Sequence, residues 1–306
     1  MWFHSFGFAA AKLRILSMER IAESELVMNS DGSIYHLNLH PENIAETIIL
    51  VGDQDRVGKV SKHFDTIEFR AQKREFVTHT GRVGSKRLTV LSTGIGTDNI
   101  DIVVNELDAL MNIDLKTRTI KNEIKSLNLI RLGTSGSLQE DLPVDSYLLS
   151  THGIGFDGVF NYYEKASEIE DTELTDAFVA QTEWNTKFPR PYIVKGSDKL
   201  FDLLKEGTRH GMTATANGFY GPQGRQLRLK PTVPDLNERL SKFNYQGMRI
   251  TNFEMETSAL FGLGKALGHE CATVCAIIAN RFKKEYSKNH DQTVEQLISF
   301  VVDRVS

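Results

Sequence analysis

Hydrophobic positions along the chain cluster in short runs separated by glycine and polar residues. Thr47–Val51 (TIILV), Arg87–Leu91 (RLTVL), Leu127–Leu132 (LNLIRL) and Ala272–Ala279 (ATVCAIIA) are rich in β-branched and aliphatic residues. Runs of this length, bounded by turn residues, predict buried strands. The first leads into the turn Gly52–Arg56 and a helical stretch over Val57–His63. The second leads into Ser92–Gly96, after which Asp98 or Asn99 is placed to cap a helix running to about Met111. The third ends in Gly133–Gly136 and the fourth at Asn280–Arg281, while Ser258–Leu267 reads as a further helix. Strands alternating with helices predict a three-layer α/β/α domain.

The polar residues that follow these strands change the picture. Gly52 and Arg56, Thr93 and Gly94, Arg131 with Gly133 and Thr134, and Asn280 with Arg281 are all expected at carboxyl ends of strands. Ligands of open α/β sheets bind there. One basic residue after a strand is ordinary; several beside glycines point to one anion site assembled from distant segments. Between Met111 and Leu127, the polar, mixed-charge stretch 112–126 reads as a solvated helix or arm, or as part of an interface.

Composition bounds the function. With 306 residues, 40% hydrophobic and 25% charged, the chain can bury a sizeable core. Its 36 basic and 40 acidic residues leave a net charge of -4, which supplies no field for nucleic acid. The two cysteines, Cys271 and Cys275, lie in an apolar run without a zinc spacing, so they read as buried small side chains in a reducing cytoplasm. In the mildly apolar start, Lys12 and Arg14 follow the apolar stretch, the reverse of a secretory signal. No run approaches the roughly 20 apolar residues of a membrane span. Residues 1–17 are expected to be a disordered extension, and 18–306 a single domain.

Four segments could carry chemistry. In Gly52-Asp-Gln-Asp-Arg56 the glycine admits close backbone approach and the arginine offers paired donors to an anion; alone, it is also a plain surface turn. Ser92-Thr-Gly-Ile-Gly-Thr-Asp98 is similar, but lacks the third glycine of a dinucleotide fingerprint and the lysine of a P-loop. In Asn252-Phe-Glu-Met-Glu-Thr257 two carboxylates enter a helix, where they either sit in solvent or hold sugar hydroxyls. In Gly218-Phe-Tyr-Gly-Pro-Gln-Gly-Arg225, a loop presents an amide, a guanidinium and an aromatic face.

Taken in order, these segments resemble a family, the uridine phosphorylase branch of the nucleoside phosphorylases. The resemblance runs from about Tyr35 to Arg281. It includes Tyr-His-Leu at 35–37, Gly-Asp-Gln-Asp-Arg-Val at 52–57, with Gln54 in place of the usual proline, and Arg-Glu-Phe at 74–76. Ser-Thr-Gly-Ile-Gly at 92–96, Ile-Arg-Leu-Gly-Thr-Ser-Gly at 130–136 and Phe-Tyr-Gly-Pro-Gln-Gly-Arg at 219–225 follow, then Glu-Met-Glu at 254–256 and Ala-Asn-Arg at 279–281. The resemblance implies a central mixed, twisted sheet. It implies that Gly52, Arg56, Arg131 and Thr134 hold phosphate, with Arg74 lent by a neighbouring subunit. Ribose falls to Glu254, Met255 and Glu256, with His36 from the same neighbour. Gln223, Arg225 and Phe219 meet the base, Gly136, Ile278 and Ala279 line the pocket, and Arg281 supports the base-side loop. It also implies a homo-oligomer, dimer or hexamer, with shared sites. No metal or organic cofactor is expected, inorganic phosphate being a co-substrate.

The implied chemistry is displacement at the anomeric carbon by phosphate, through an oxocarbenium-like transition state. Arg131 positions the nucleophile, Glu256 holds the 2′- and 3′-hydroxyls, and Arg225 and Gln223 stabilise charge on the departing uracil, each donor contributing ~3 kcal/mol. Purine-cleaving relatives place an Asp where this chain has Asn280, and an amide cannot act as general acid. Uridine is therefore the expected substrate, with a purine nucleoside phosphorylase as the alternative enzyme. A nucleosidase using water has no use for Arg56, Arg74 and Arg131 together. A nucleoside-binding module without turnover is the non-enzyme alternative.

Overall fold

A computed structural model of the chain describes residues 20–306. The expected extension 1–17 lies outside the described residues, as do the first two residues of the domain expected over 18–306. The organising strand is β1 (Thr47–Val51), buried at every position. A strand covered on both faces is apolar throughout rather than alternating. Ile48 and Leu50 join one core with Leu91, Val103 and Leu260, while Ile49 and Val51 join another with Val57, Ile130 and Leu297.

The remaining strands are β2 (Thr66–Lys73), β3 (Phe76–Val83), β4 (Lys86–Ser92), a small hairpin of β5 (Ile113–Asp114) and β6 (Thr119–Ile120), then β7 (Asn128–Ser137) and β8 (Tyr147–Gly155). They continue with β9 (Tyr192–Lys195), β10 (Arg209–Thr215), β11 (Asn244–Tyr245), β12 (Met248–Glu254), β13 (Glu270–Asn280) and β14 (Glu285–Tyr286). The helices are α1 (Gln54–Ser61), α2 (Thr97–Asn112), α3 (Ala166–Ile169), α4 (Thr172–Gln181), α5 (Asp198–Leu204), α6 (Leu236–Lys242), α7 (Thr257–Leu267) and α8 (His290–Val305). Helices α2 and α7 share a core with one face of the sheet, and α1, α5 and α8 with the other.

The expected mixed sheet is present, in the order β11-β12-β10-β8-β13-β7-β1-β4-β3-β2. β1 runs parallel to β4 and β7, β13 parallel to β7, and β10 parallel to β8 and β12, whereas β8 is antiparallel to β13. β12 also returns to pair with the end of β7, Asn252 opposite Ser137 and Phe253 opposite Gly136. Strands β7, β13, β8, β10 and β12 thereby close a ring, which brings the end of β12 against the carboxyl end of β7.

Several boundaries differ from expectation. Gly133–Gly136 is not a turn: β7 runs on through it, paired with Cys275, Ala276, Ile277 and Ala279 of β13. Arg131 therefore lies inside the strand rather than at its end. The expected turn 52–56 already contains the start of α1, because Asp53 caps it by accepting from the Asp55 N–H. Stretch 112–126 is neither helix nor extended arm; it folds into the β5–β6 hairpin, turning at Arg118 with φ 59°. Helix α2 is not capped by Asp98 or Asn99. It starts from Gly96, which has no side-chain cap of its own.

If the two faces of β1 are both core, Ile49→Ala should lower the unfolding free energy by about 2–5 kcal/mol. A urea midpoint that does not move would contradict the assignment.

Candidate functional site

The carboxyl ends of β1, β7, β12 and β13 and the loops beside them line an open cavity of 1170 Å³. Its anion-binding side is built from β1 and β7. Gly52 follows β1, and the first turn of α1 brings Arg56 over the cavity, its Nη1 donating to the Leu132 carbonyl at 3.3 Å. Register places Arg131 between Leu50 of β1 and Thr273 of β13. Its side chain needs the space that Gly133 leaves, since a Cβ there would sit 2.0 Å from Arg131 Nη1. Thr134 completes this wall.

Arg131 is buried and faces two carboxylates. Nη2 donates to Glu256 Oε2, Nη1 lies 3.5 Å from Glu254 Oε2, and Nε has no hydrogen-bond partner among the described residues. Burial works against its charge, but Glu256 and Glu254 outweigh that and hold the guanidinium above its ordinary value. Arg56 is lowered, first by burial and then by Arg131. Two neighbouring guanidiniums, one of them destabilised by the other, favour arrival of an anion.

The carboxylates are not in the solvated turn that an acidic helix start suggests; Glu254 and Glu256 are both buried. Glu254 serves the fold. It accepts from Thr215 Oγ1 at 2.7 Å, the Glu256 N–H at 2.9 Å and the Thr257 N–H at 2.9 and 3.1 Å, thereby capping α7. Its acceptor capacity is engaged within the protein, which separates it from the ribose role the motif implies. Glu256 differs. Besides Arg131 it takes the Gly96 N–H at 3.0 Å, so the distant carboxylate supplies the interaction that α2 lacks locally. It thus sits between the positive ends of α2 and α7. Burial pushes its carboxyl up to about 7 against the pull of Arg131, with Glu254 adding to the rise. Met255 lies in the wall beside it.

The base side is the loop over 219–225. A Gly221–Gln223 turn ends at Gly224, whose φ of 70° and tight approach to Asn237 suit only glycine. Gln223 is buried, and its Oε1 accepts from Arg225 Nη1 at 2.6 Å and Arg281 Nη2 at 2.8 Å. Arg281 Nη1 also holds the Gln223 carbonyl at 2.7 Å, as a support for this loop. Two arginines on the oxygen fix the amide's orientation, and among the described residues Nε2 makes no hydrogen bond. Burial, then Arg225, lowers the Arg281 guanidinium to about 10. The face of Phe219 is not free, since the Arg225 guanidinium lies 3.7 Å over it. Gly136, Ile278 and Ala279 line the cavity.

Asn280 is at the wall but its side chain is fully used. Nδ2 donates to the carbonyls of Gln139 and Leu142, both at 2.9 Å, and Oδ1 accepts from the N–H groups of Phe282 and Lys283. It pins the β13–β14 connection and offers nothing to a base.

His36 and Arg74 are not brought to this cavity. Arg74 occupies the β2–β3 turn with φ 53°, and both residues flank Tyr35 outside the wall. Sequence reading did not single out Thr215 or the Gly96 N–H. The glycine before a helix was a signal for the second, whereas Thr215 reaches Glu254 only through strand pairing.

Among the described residues, no group of three or more His, Cys, Asp or Glu side chains could hold a metal ion, and no helix is long and apolar enough to cross a membrane.

Comparison with known proteins follows the same lines. The model of the phosphorylase superfamily matches residues 46–305. A solved Trypanosoma brucei nucleoside phosphorylase, described as showing uridine phosphorylase activity, superposes with a TM-score of 0.84 at 29% identity, covering 92% of this chain and 99% of that one. A uridine phosphorylase of Thermococcus kodakarensis is 27% identical over 89% of this chain and 86% of its own length. A DeoD-type purine nucleoside phosphorylase of Bacillus thuringiensis is 25% identical over 88% of this chain and 97% of its own.

Asn280→Asp should replace two donated hydrogen bonds by a carboxylate oxygen facing two carbonyls, costing about 1–3 kcal/mol. The folded-state pKa of the new acid is then raised, so the loss is largest at high pH and recovers as the acid protonates. Thermal unfolding at pH 8 and pH 5 checks this; an equal effect at both would refute it.

Proposed function

The chain belongs to the phosphorylase superfamily, and from that premise we propose that it cleaves uridine with inorganic phosphate, giving uracil and ribose 1-phosphate. The observation that carries the reading is Arg131 paired with Glu256 at the centre of one cavity. An anion-binding guanidinium and a sugar-binding carboxylate must be adjacent if phosphate is to attack the anomeric carbon.

In this reading Arg131, with Arg56, Thr134 and the backbone at Gly52, holds phosphate behind the sugar. Glu256 takes the 2′- and 3′-hydroxyls, with Met255 packed against the ring, and its negative charge favours positive charge growing there. Glu254 orients Glu256 through α7. Gln223 turns its Nε2 toward a uracil carbonyl, and Arg225, released from Phe219, reaches the other. These donors are aimed at charge that develops only as the base leaves. Attack and departure need little proton transfer, so no organic cofactor enters. Purine cleavage is disfavoured because the position for a general acid is Asn280, whose amide is saturated by backbone. We assign Arg74 and His36 to the site of a second copy, making the protein a homo-oligomer acting in the cytoplasm.

Uracil release from uridine should require phosphate, and hypoxanthine release from inosine should be at least a hundredfold slower in kcat/KM. Release without phosphate, or a preference for inosine, would sink the proposal.

Since Glu256 must be ionised, activity should fall as pH drops through about 7, where burial places its carboxyl. Glu256→Gln should lose about 10²–10³-fold in kcat. Its residual pH profile should keep only the limb due to phosphate ionisation; an unchanged profile would remove Glu256 from this role.

A further inference from the structure

Helix α2 joins two places that the fold keeps apart. At its start the Gly96 N–H donates to Glu256 inside the cavity. Ten residues on, roughly 15 Å along a helix rising 1.5 Å per residue, Glu106 meets His36 outside it. The Glu106 carboxylate accepts from His36 Nδ1 at 2.6 Å, from the His36 N–H at 3.0 and 3.1 Å, and from the Leu37 N–H at 2.8 Å. Both oxygens are occupied, and the ring and its own backbone are clamped by one side chain.

The carboxylate also settles which ring nitrogen points where. Nδ1 carries the proton that Glu106 accepts, so Nε2 is the outward polar atom. Nε2 has no protein partner among the described residues, and the His36 side chain is 29% exposed. Tyr35 packs edge-on against the imidazole at 4.8 Å, Lys73 Nζ lies 4.4 Å over the Tyr35 ring, and Arg74 stands 6.0 Å from it. Lys73 is itself anchored, donating to Asn29 Oδ1 at 2.8 Å and to the Tyr35 carbonyl at 2.5 Å. Two residues far apart in sequence, His36 and Arg74, are therefore presented together on one braced, outward-facing patch.

We propose that Glu106 is a positioning residue, which fixes the tautomer and aim of His36 so that Nε2 meets the 5′-hydroxyl of a nucleoside held by a second copy of this chain. The inference rests on the reading that uridine is cleaved in sites shared between copies. In that reading Glu256 serves the 2′- and 3′-hydroxyls, and the 5′-hydroxyl is the sugar's remaining polar group. A hydroxyl both donates and accepts, so it pairs with Nε2 in either protonation state of the ring.

The test compares uridine with 5′-deoxyuridine, which lacks that hydroxyl. Glu106→Gln keeps the shape but replaces one acceptor oxygen with a donor facing N–H groups. Its kcat/KM for uridine should fall about tenfold, mainly through KM, while that for 5′-deoxyuridine stays within twofold. Glu106→Asp, which keeps both acceptors one methylene back, should show a smaller loss confined to uridine, and it carries the test if the Gln variant does not fold. On a His36→Asn background, Glu106→Gln should add no further loss. Equal losses on both substrates, no loss on either, or an additive loss in the double variant would overturn the proposal. If the wild type fails to cleave uridine with phosphate, the functional reading fails and takes the inference with it. A working wild type with unmoved discrimination in Glu106→Gln rejects the inference alone.

Discussion

A guanidinium and a carboxylate buried against each other, Arg131 and Glu256, are the constraint around which this molecule is arranged. Removing two charges from water costs several kcal/mol per ion, and mutual attraction offsets that only when further hydrogen bonds complete the pair. The fold supplies those from several directions. The Gly96 N–H at the start of α2 reaches Glu256, Glu254 stands across from Arg131, and Gly133 leaves the volume the guanidinium needs. Closure of the strand ring makes these approaches possible, because β12 carries the glutamates back against β7.

The arrangement also sets which groups remain available. Glu254 is committed to α7 and Thr215, and Asn280 to the β13–β14 connection. Glu256, Arg131, Arg56 and the Gln223 amide nitrogen retain capacity for ligands. An anion beside Arg131 gives that guanidinium a second acceptor, and sugar hydroxyls give Glu256 additional donors. Arg225 lies over Phe219 and at the same time donates to the Gln223 oxygen, so one guanidinium ties together the aromatic and the amide of this loop. Residues of identical type, two glutamates separated by a single methionine, thus have different roles, decided by which hydrogen bonds each already makes.

Much of this was legible in the chain itself. β1 is readable because a strand covered on both faces is a near-continuous apolar run, and Ile48–Val51 has that pattern. The glycine-and-arginine segments were readable because backbone approach and paired donors demand those residue types, and Gly52, Arg56, Arg131, Thr134, Gln223 and Arg225 do line one cavity. Local sequence misjudged whatever depends on a distant partner. Gly133–Gly136 has turn composition, yet pairing with β13 keeps it extended. Helix α2 showed two side chains able to cap it, yet it starts one residue beyond Gly96, whose N–H is taken by a carboxylate 160 residues away.

What the sequence by itself determined, then, is the alternation of strands with helices and the chemical inventory of the site, since both follow from residue type and short-range spacing. What only the tertiary structure decided is which members of that inventory are free to act. Glu254 and Asn280 were indistinguishable in the sequence from groups awaiting a ligand. The engagement of a polar group depends on donors and acceptors brought near by strand pairing and helix packing, and no local pattern encodes those distances.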